Sequence, residues 1–174
     1  MSKKEALLKA AENKVRLGGY SNFSFRELAS EIGIKSASVH YHFPTKADLG
    51  AELAHQYTNA FLNALGSPSE HLANGKNPIE VYTQLFRSAL LFDKKMCLCG
   101  LLGAESDSLP EKVRFEVKRF FNQNLEWLTE AHLANGEQQP KHAAIQTVSL
   151  LEGAMMISKT LDDNSYFELA TQPA

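Results

Sequence analysis

The amino-acid sequence predicts an all-α protein. Across most of the chain, apolar residues recur three and four positions apart, and strict alternation in twos is rare. Cap residues and first-turn prolines open the apolar runs, and glycines close several of them. The 174 residues are 44% apolar and 22% charged, so the chain reads as globular and can bury a sizeable core.

Each element follows from local signals. A first helix is predicted over Lys3 to Leu17, with Ala6, Leu7, Ala10, Ala11 and Lys14 or Val15 facing inward. Gly18-Gly19 ends it, because glycine tolerates the backbone of a helix terminus without strain. Ser24-Phe25-Arg26-Glu27 is a capping box, opening a short helix that buries Phe25, Leu28, Ala29 and Ile32 and stops at Gly33. A second short helix is predicted over Ser36 to Phe43 and ends at Pro44. Thr45, with Asp48 three positions on, caps a long helix from Lys46 to Leu65. Gly66-Ser67-Pro68-Ser69 and Asn74-Gly75-Lys76-Asn77-Pro78 punctuate the next stretch. Asn77-Pro78-Ile79-Glu80 then starts a helix to Phe92, and a shorter one spans Leu98 to Ser106. Ser108-Leu109-Pro110-Glu111 opens a long helix with the stripe Val113, Val117, Phe120, Phe121, Leu125 and Leu128. Asn135-Gly136 breaks it, and Pro140 opens a last long helix to Leu161. The tail after Asp162 holds either one more turn or a loose end.

Charge and composition narrow the function. Residues 1–46 carry eight Lys/Arg against four Asp/Glu; with a net charge of −2 overall, the rest of the chain sums to −6. A basic end on an acidic body suits contact with a polyanion, since neutralising phosphates releases counterions. The opening Met-Ser-Lys-Lys-Glu-Ala has no signal-peptide core, and the apolar stretch Met96 to Ala104 is about half of a membrane span. These features place the protein in the cytoplasm, with no membrane partner. No catalytic triad, phosphate-binding glycine loop or zinc-ligand spacing is present, so neither an enzyme nor a cofactor or metal site is expected. His40 and His42 do not suggest a metal pair, because residues two apart on a helix point in different directions.

Residues 24–46 carry the sharpest signal. Two short helices joined at a glycine outline a helix-turn-helix. Val39 and Phe43 share a face that anchors the second helix near Leu28 and Ile32. The opposite face then presents Ser36, Ala37, His40 and Tyr41, with Ser38 on its flank and His42 completing the ring-bearing stretch. Small residues at 36–38 allow close approach to base edges, and His40, Tyr41, Lys35 and Lys46 can donate to phosphates.

The stretch Phe25-Arg26-Glu27-Leu28-Ala29, followed by Gly33 through Leu49 with its His40-Tyr41-His42-Phe43-Pro44-Thr45-Lys46 core, resembles the DNA-binding domain of the tetracycline-repressor (TetR) family. The match covers about residues 4–55. The resemblance implies that Ser36–Phe43 enters the major groove of double-stranded DNA. It also implies phosphate contacts from His40, Tyr41 and Lys46, and from Ser24 and Arg26 at the preceding helix start. Two departures stand out. Lys35-Ser36 inverts the serine-then-lysine order common in the family, which shifts Lys35 toward phosphate. His40 occupies a position where tyrosine is common, and would make affinity pH-sensitive near the unperturbed histidine pKa of about 6.5.

The predicted domains are therefore 1–46, the helix-turn-helix, and 47–174, a helical effector-binding and dimerisation body. The last long helix is apolar nearly all round: Ala144, Val148, Leu151 and Met155 form one stripe, and Leu150, Ala154, Ile157 and Leu161 a second. Ser149 and Gly153 permit close approach of another backbone. With Phe121 and Leu128 of the preceding long helix, Ser149, Leu150, Gly153, Ala154 and Ile157 form the expected homodimer interface. A dimer reads two half-sites, so a palindromic operator is expected. By resemblance, the body binds an unidentified small effector that releases a repressor from DNA; Phe61, Phe86, Leu90, Phe115, Trp127 and Met156 are its candidate pocket lining. Cys97 and Cys99 follow Lys94-Lys95 near a helix start, where a thiolate is favoured, and so form a candidate redox sensor. They are one residue apart and close no long loop.

Overall fold

Ser2 opens the first helix with a complete capping box: its hydroxyl accepts from the Glu5 N–H, and the Glu5 carboxylate accepts from the Ser2 N–H at 2.7 Å. The computed structural model describes residues 2–172; Met1, Pro173 and Ala174, at the outer ends of the two predicted domains, lie outside the described residues. In chain order the helices are α1 (Lys3–Gly18), α2 (Phe25–Glu31), α3 (Ser36–His42), α4 (Lys46–Leu65), α5 (Pro68–Ala73), α6 (Pro78–Leu91), α7 (Leu98–Ala104), α8 (Glu111–Ala134), α9 (Pro140–Leu161) and α10 (Ser165–Thr171). No strand occurs among the described residues, and none of their helices is long and apolar enough to cross a membrane.

Two compact units emerge from the contacts, Met1–Asn59 with Leu98–Phe120, and Ala60–Cys97 with Phe121–Ala174. The predicted boundary at 46/47 lies inside the first unit. The first part of α4, the whole of α7 and the start of α8 pack with the N-terminal helices, for specific reasons. Glu105, just past α7, accepts from the Tyr20 N–H at 2.9 Å; Lys4 pairs with Glu52 of α4 at 2.9 Å, and Lys112 of α8 with Asp48 at 2.6 Å. Leu7, Ala11 and Val15 of α1, Leu28 of α2, Val39 of α3 and Leu49 of α4 are buried in this unit.

The second unit is built around α6, the end of α8, and α9, which packs on both α6 and α10. Tyr82, Phe86, Leu90, Leu128, Leu151 and Met155 are buried there. One element departs from expectation. Pro68 and Ser69, expected as part of a break, instead open α5, with Pro68 in a first-turn position where its missing N–H costs no hydrogen bond. Of the two alternatives left open for the tail, the helical one is seen, as α10. Phe167 is fully buried, and Arg87 donates to Glu168 at 2.9 Å and to Thr171 at 3.2 Å while lying over the Phe167 ring.

Candidate nucleic-acid interface

The α2–α3 pair is held by hydrogen bonds that its sequence dictates. At the α2 start the Ser24 hydroxyl accepts from the Glu27 N–H at 3.3 Å and donates to the Glu27 carboxylate at 2.9 Å. Hydrogen bonds from the side chain first and then the backbone of Ser24 hold the Glu27 carboxyl below its ordinary range. Gly33 takes a φ of +71°, which lets the Ile34 N–H reach back to the Ala29 carbonyl at 2.9 Å and turns the chain sharply into α3.

The two faces of α3 differ as predicted by its helical spacing. Val39 is fully buried, Phe43 is buried just past the helix, and Leu28 is buried on α2; Ile32 is half-buried. Ser36, Ala37, His40 and Tyr41 are exposed, with Ser38 and His42 half-buried at the flanks. Tyr41 is 84% exposed, an unusual position for a large ring that could otherwise be buried. His40 is steadied by an edge contact to Phe25, with centroids 5.0 Å apart, and by an Nδ1 contact of 3.3 Å to the Pro44 carbonyl. Ser24, Arg26 and Lys35 are exposed beside this face.

Lys46, expected to donate to phosphate, is engaged within the chain. Its ammonium donates to the Phe23 carbonyl at 2.6 Å and lies 4.2 Å from the Phe23 ring centroid and 4.9 Å from that of Tyr20. Burial lowers its pKa, against the opposing pull of Glu27 and Glu105. Its charge fastens the α4 start to the turn after α1. Thr45 and Asp48 cap the same helix end: the Asp48 carboxylate accepts from the Thr45 N–H at 3.1 Å and from its hydroxyl at 2.7 Å.

The predicted effector-pocket residues do not all meet. In the second unit Phe61 stands edge-on to Tyr82 and Phe86, Tyr82 stacks on Phe86, and Trp127 is tilted against Tyr82, with centroids 5.5–5.9 Å apart. Leu90 is buried in the same unit. Phe115 and Met156 are corrections: Phe115 belongs to the first unit at 66% exposure, beside an open cleft with Ala51 and Lys112, and Met156 is 52% exposed. Their apolar character suggested burial, but each lies on the outward side of its helix.

Sequence reasoning also missed Glu152 and the Tyr82–Asn124 pair. Tyr82 donates its hydroxyl to Asn124 at 2.9 Å, both being fully buried. Glu152 is the lone carboxylate in the apolar part of α9, between Leu151 and Ala154, and that pattern was the available signal. Burial raises its pKa to about 7, with the Cys97 thiol opposing through a hydrogen bond.

The interface and sensor residues also divide. Ser149, Leu150 and Ile157 are exposed, and Phe121 and Gly153 half-buried. Leu128 and Ala154 are buried within the chain, which corrects their assignment to a dimer surface: the chain already covers that side of their helices. Cys97 and Cys99 are free thiols but are 2% and 0% exposed, which corrects the expectation of an accessible redox sensor. No group of three or more potential metal-ligating side chains occurs among the described residues.

Comparison with known families matches residues 4–53 to the bacterial regulatory proteins of the tetR family. Among solved structures, a TetR transcriptional regulator from Legionella pneumophila is 32% identical, with a TM-score of 0.87 over 98% of this chain and 94% of that one. A TetR-family transcriptional regulator from Agrobacterium tumefaciens is 27% identical, with a TM-score of 0.82 over 97% and 93%. The reduced form of Escherichia coli NemR shares the fold at 22% identity, with a TM-score of 0.80 over 97% and 93%. Comparison with curated proteins gave no match.

Proposed function

Because the chain belongs to the TetR family of transcriptional regulators, with a helix-turn-helix for DNA, we propose that it is a homodimeric repressor that leaves a palindromic operator when a small effector binds its second unit. The observation that carries the reading is the division of α3 into a buried anchor and an exposed polar face. Val39 and Phe43 hold the helix in place, while Ser36, Ala37, His40 and Tyr41 meet the major groove. Arg26, Lys35 and Tyr41 donate to phosphates and set the register. The protein acts in the cytoplasm, as a regulator and not as an enzyme.

Selection of bound sequences from random duplexes tests this directly. The expected product is a two-fold symmetric site whose affinity declines steeply as salt rises. An asymmetric single half-site would contradict the dimer, and retention of no duplex at low salt would overturn the reading. Tyr41→Ala is expected to weaken operator binding by about 1–3 kcal/mol, roughly five- to 150-fold, by titration of labelled duplex. Its melting temperature should stay close to the parent's, since the ring is so exposed.

The dimer is supported by the outer side of α9. Leu150, Ile157 and Leu161 are exposed at helical spacing around Gly153. A Cβ placed on Gly153 would meet nothing within 4 Å in its own chain, so intrachain packing does not explain a mid-helix glycine that costs about 1 kcal/mol relative to alanine. A second α9 lying close over it supplies the reason. Ile157→Asp is expected to convert the dimer to monomer in sedimentation at micromolar concentration; a dimer of unchanged strength would move the interface elsewhere.

A further inference from the structure

In the second unit, Glu152 has a carboxylate oxygen, Oε1, that is fully enclosed and has no hydrogen-bond partner. Enclosed polar atoms in folded proteins are nearly always paired, and an unpaired carboxylate oxygen is a costly exception. Neither Tyr82 nor Cys97 supplies it a strong donor. Tyr82, on the helix packed against α9, directs its hydroxyl proton to Asn124. Cys97 offers its thiol, a weak donor, while its N–H goes to the Met155 sulfur at 3.2 Å. Burial accordingly raises the proton affinity of the acid.

The rings beside it add a second argument. Tyr82 belongs to the cluster with Phe61, Phe86 and Trp127, and its helix, α6, packs against α9, which carries Glu152. An aromatic cluster next to a buried acid is chemically suited to an organic cation, because ring faces carry negative potential and the carboxylate completes the charge. An anionic ligand would be repelled there, and a neutral one would leave a buried charge or a bound proton behind.

We propose that the effector is a protonated amine on an apolar body, seated with its ammonium on Glu152 and its body among the rings around Tyr82. This rests on the regulator reading given above. Entry requires the rings to part, so the amine binds one arrangement of this unit better than the other, as any effector must.

The test uses the full-length protein with phenylpropylamine, its neutral counterpart phenylpropanol, and the anionic phenylpropionate, each at millimolar concentration. The amine is expected to raise the melting temperature by about 2–5 °C and to weaken retention of the selected duplex, with less than a third of that effect from the other two. Glu152→Gln should reduce amine affinity at least tenfold. If that variant does not fold, Glu152→Met decides the same point. The proposal is overturned if wild-type protein ignores the amine, if phenylpropanol or phenylpropionate matches it, or if the folded variant responds undiminished. Duplex retention without any amine is scored separately. Protein that holds its duplex but ignores the amine removes only this inference, whereas amine stabilisation without duplex binding removes the regulator reading.

Discussion

Gly19→Ala is expected to destabilise the protein by about 3–4 kcal/mol, the largest loss we anticipate from a single methyl group. Gly19 has φ +78° and ψ −173°, a region of backbone space populated almost only by glycine, where another residue costs roughly 1–3 kcal/mol. Space compounds the strain. A Cβ there would sit 1.8 Å from Glu105 Oε1, so the carboxylate would have to swing away. That movement breaks its bond to the Tyr20 N–H, a charge-assisted link worth about 1.5–3 kcal/mol. The terms overlap, since moving Glu105 relieves the clash, which keeps the expected total below their sum. Urea denaturation of the two proteins measures the difference, and a loss under about 1 kcal/mol would show that Glu105 is not an essential clamp.

Glu152→Gln has the second large effect, visible only as pH changes. The Glu152 carboxyl has an ordinary value of 4.5, raised to about 7 in the folded protein by burial and opposed by the Cys97 hydrogen bond. Below pH 4.5 both folded and unfolded chains carry the proton, and nothing is lost. Between 4.5 and 7 the unfolded chain releases the proton while the folded one retains it. Stability therefore falls as pH rises through this window, and the full penalty persists above it. The shift corresponds to on the order of 3 kcal/mol. The stability difference between Glu152→Gln and wild type should grow in the variant's favour by that order from pH 5 to pH 8. Using the difference cancels the fixed cost of burying an amide. Parallel stability profiles for the two proteins across this range would rule out a buried, perturbed acid.

Helix boundaries were the most legible part of the sequence, for physical reasons tied to particular residues. Pro140 and Leu161 bound α9 as expected because a first-turn proline and a change of composition mark its ends. Thr45 and Asp48 announced the start of α4 in the same way. By contrast, α5 was hidden because Pro68 can begin a helix or a turn, and α10 because its stability comes from burying Phe167 and clamping Arg87, which are distant in sequence.

The candidate interface was legible where helical periodicity decides. Val39 inside and Tyr41 outside follow from two positions on one short helix. Lys46 was harder, since a sequence displays a cation but not the two rings and the carbonyl that hold it. On α9, apolar residues on every side could not reveal which are covered by their own chain. Ala154 is buried while Leu150 is exposed, and only tertiary packing separates them. Glu152 was passed over because a lone acid in a helix usually faces water.

The chain has a single tryptophan, Trp127, whose indole N–H donates to the Gly66 carbonyl at 2.8 Å and whose ring leans on Tyr82. Nature has thus placed the only strong intrinsic fluorophore inside the aromatic cluster. Any rearrangement that separates those rings will alter its emission, and the light will come from no other indole. Opening and closing of this region can consequently be timed in a stopped-flow mixer without attaching a dye.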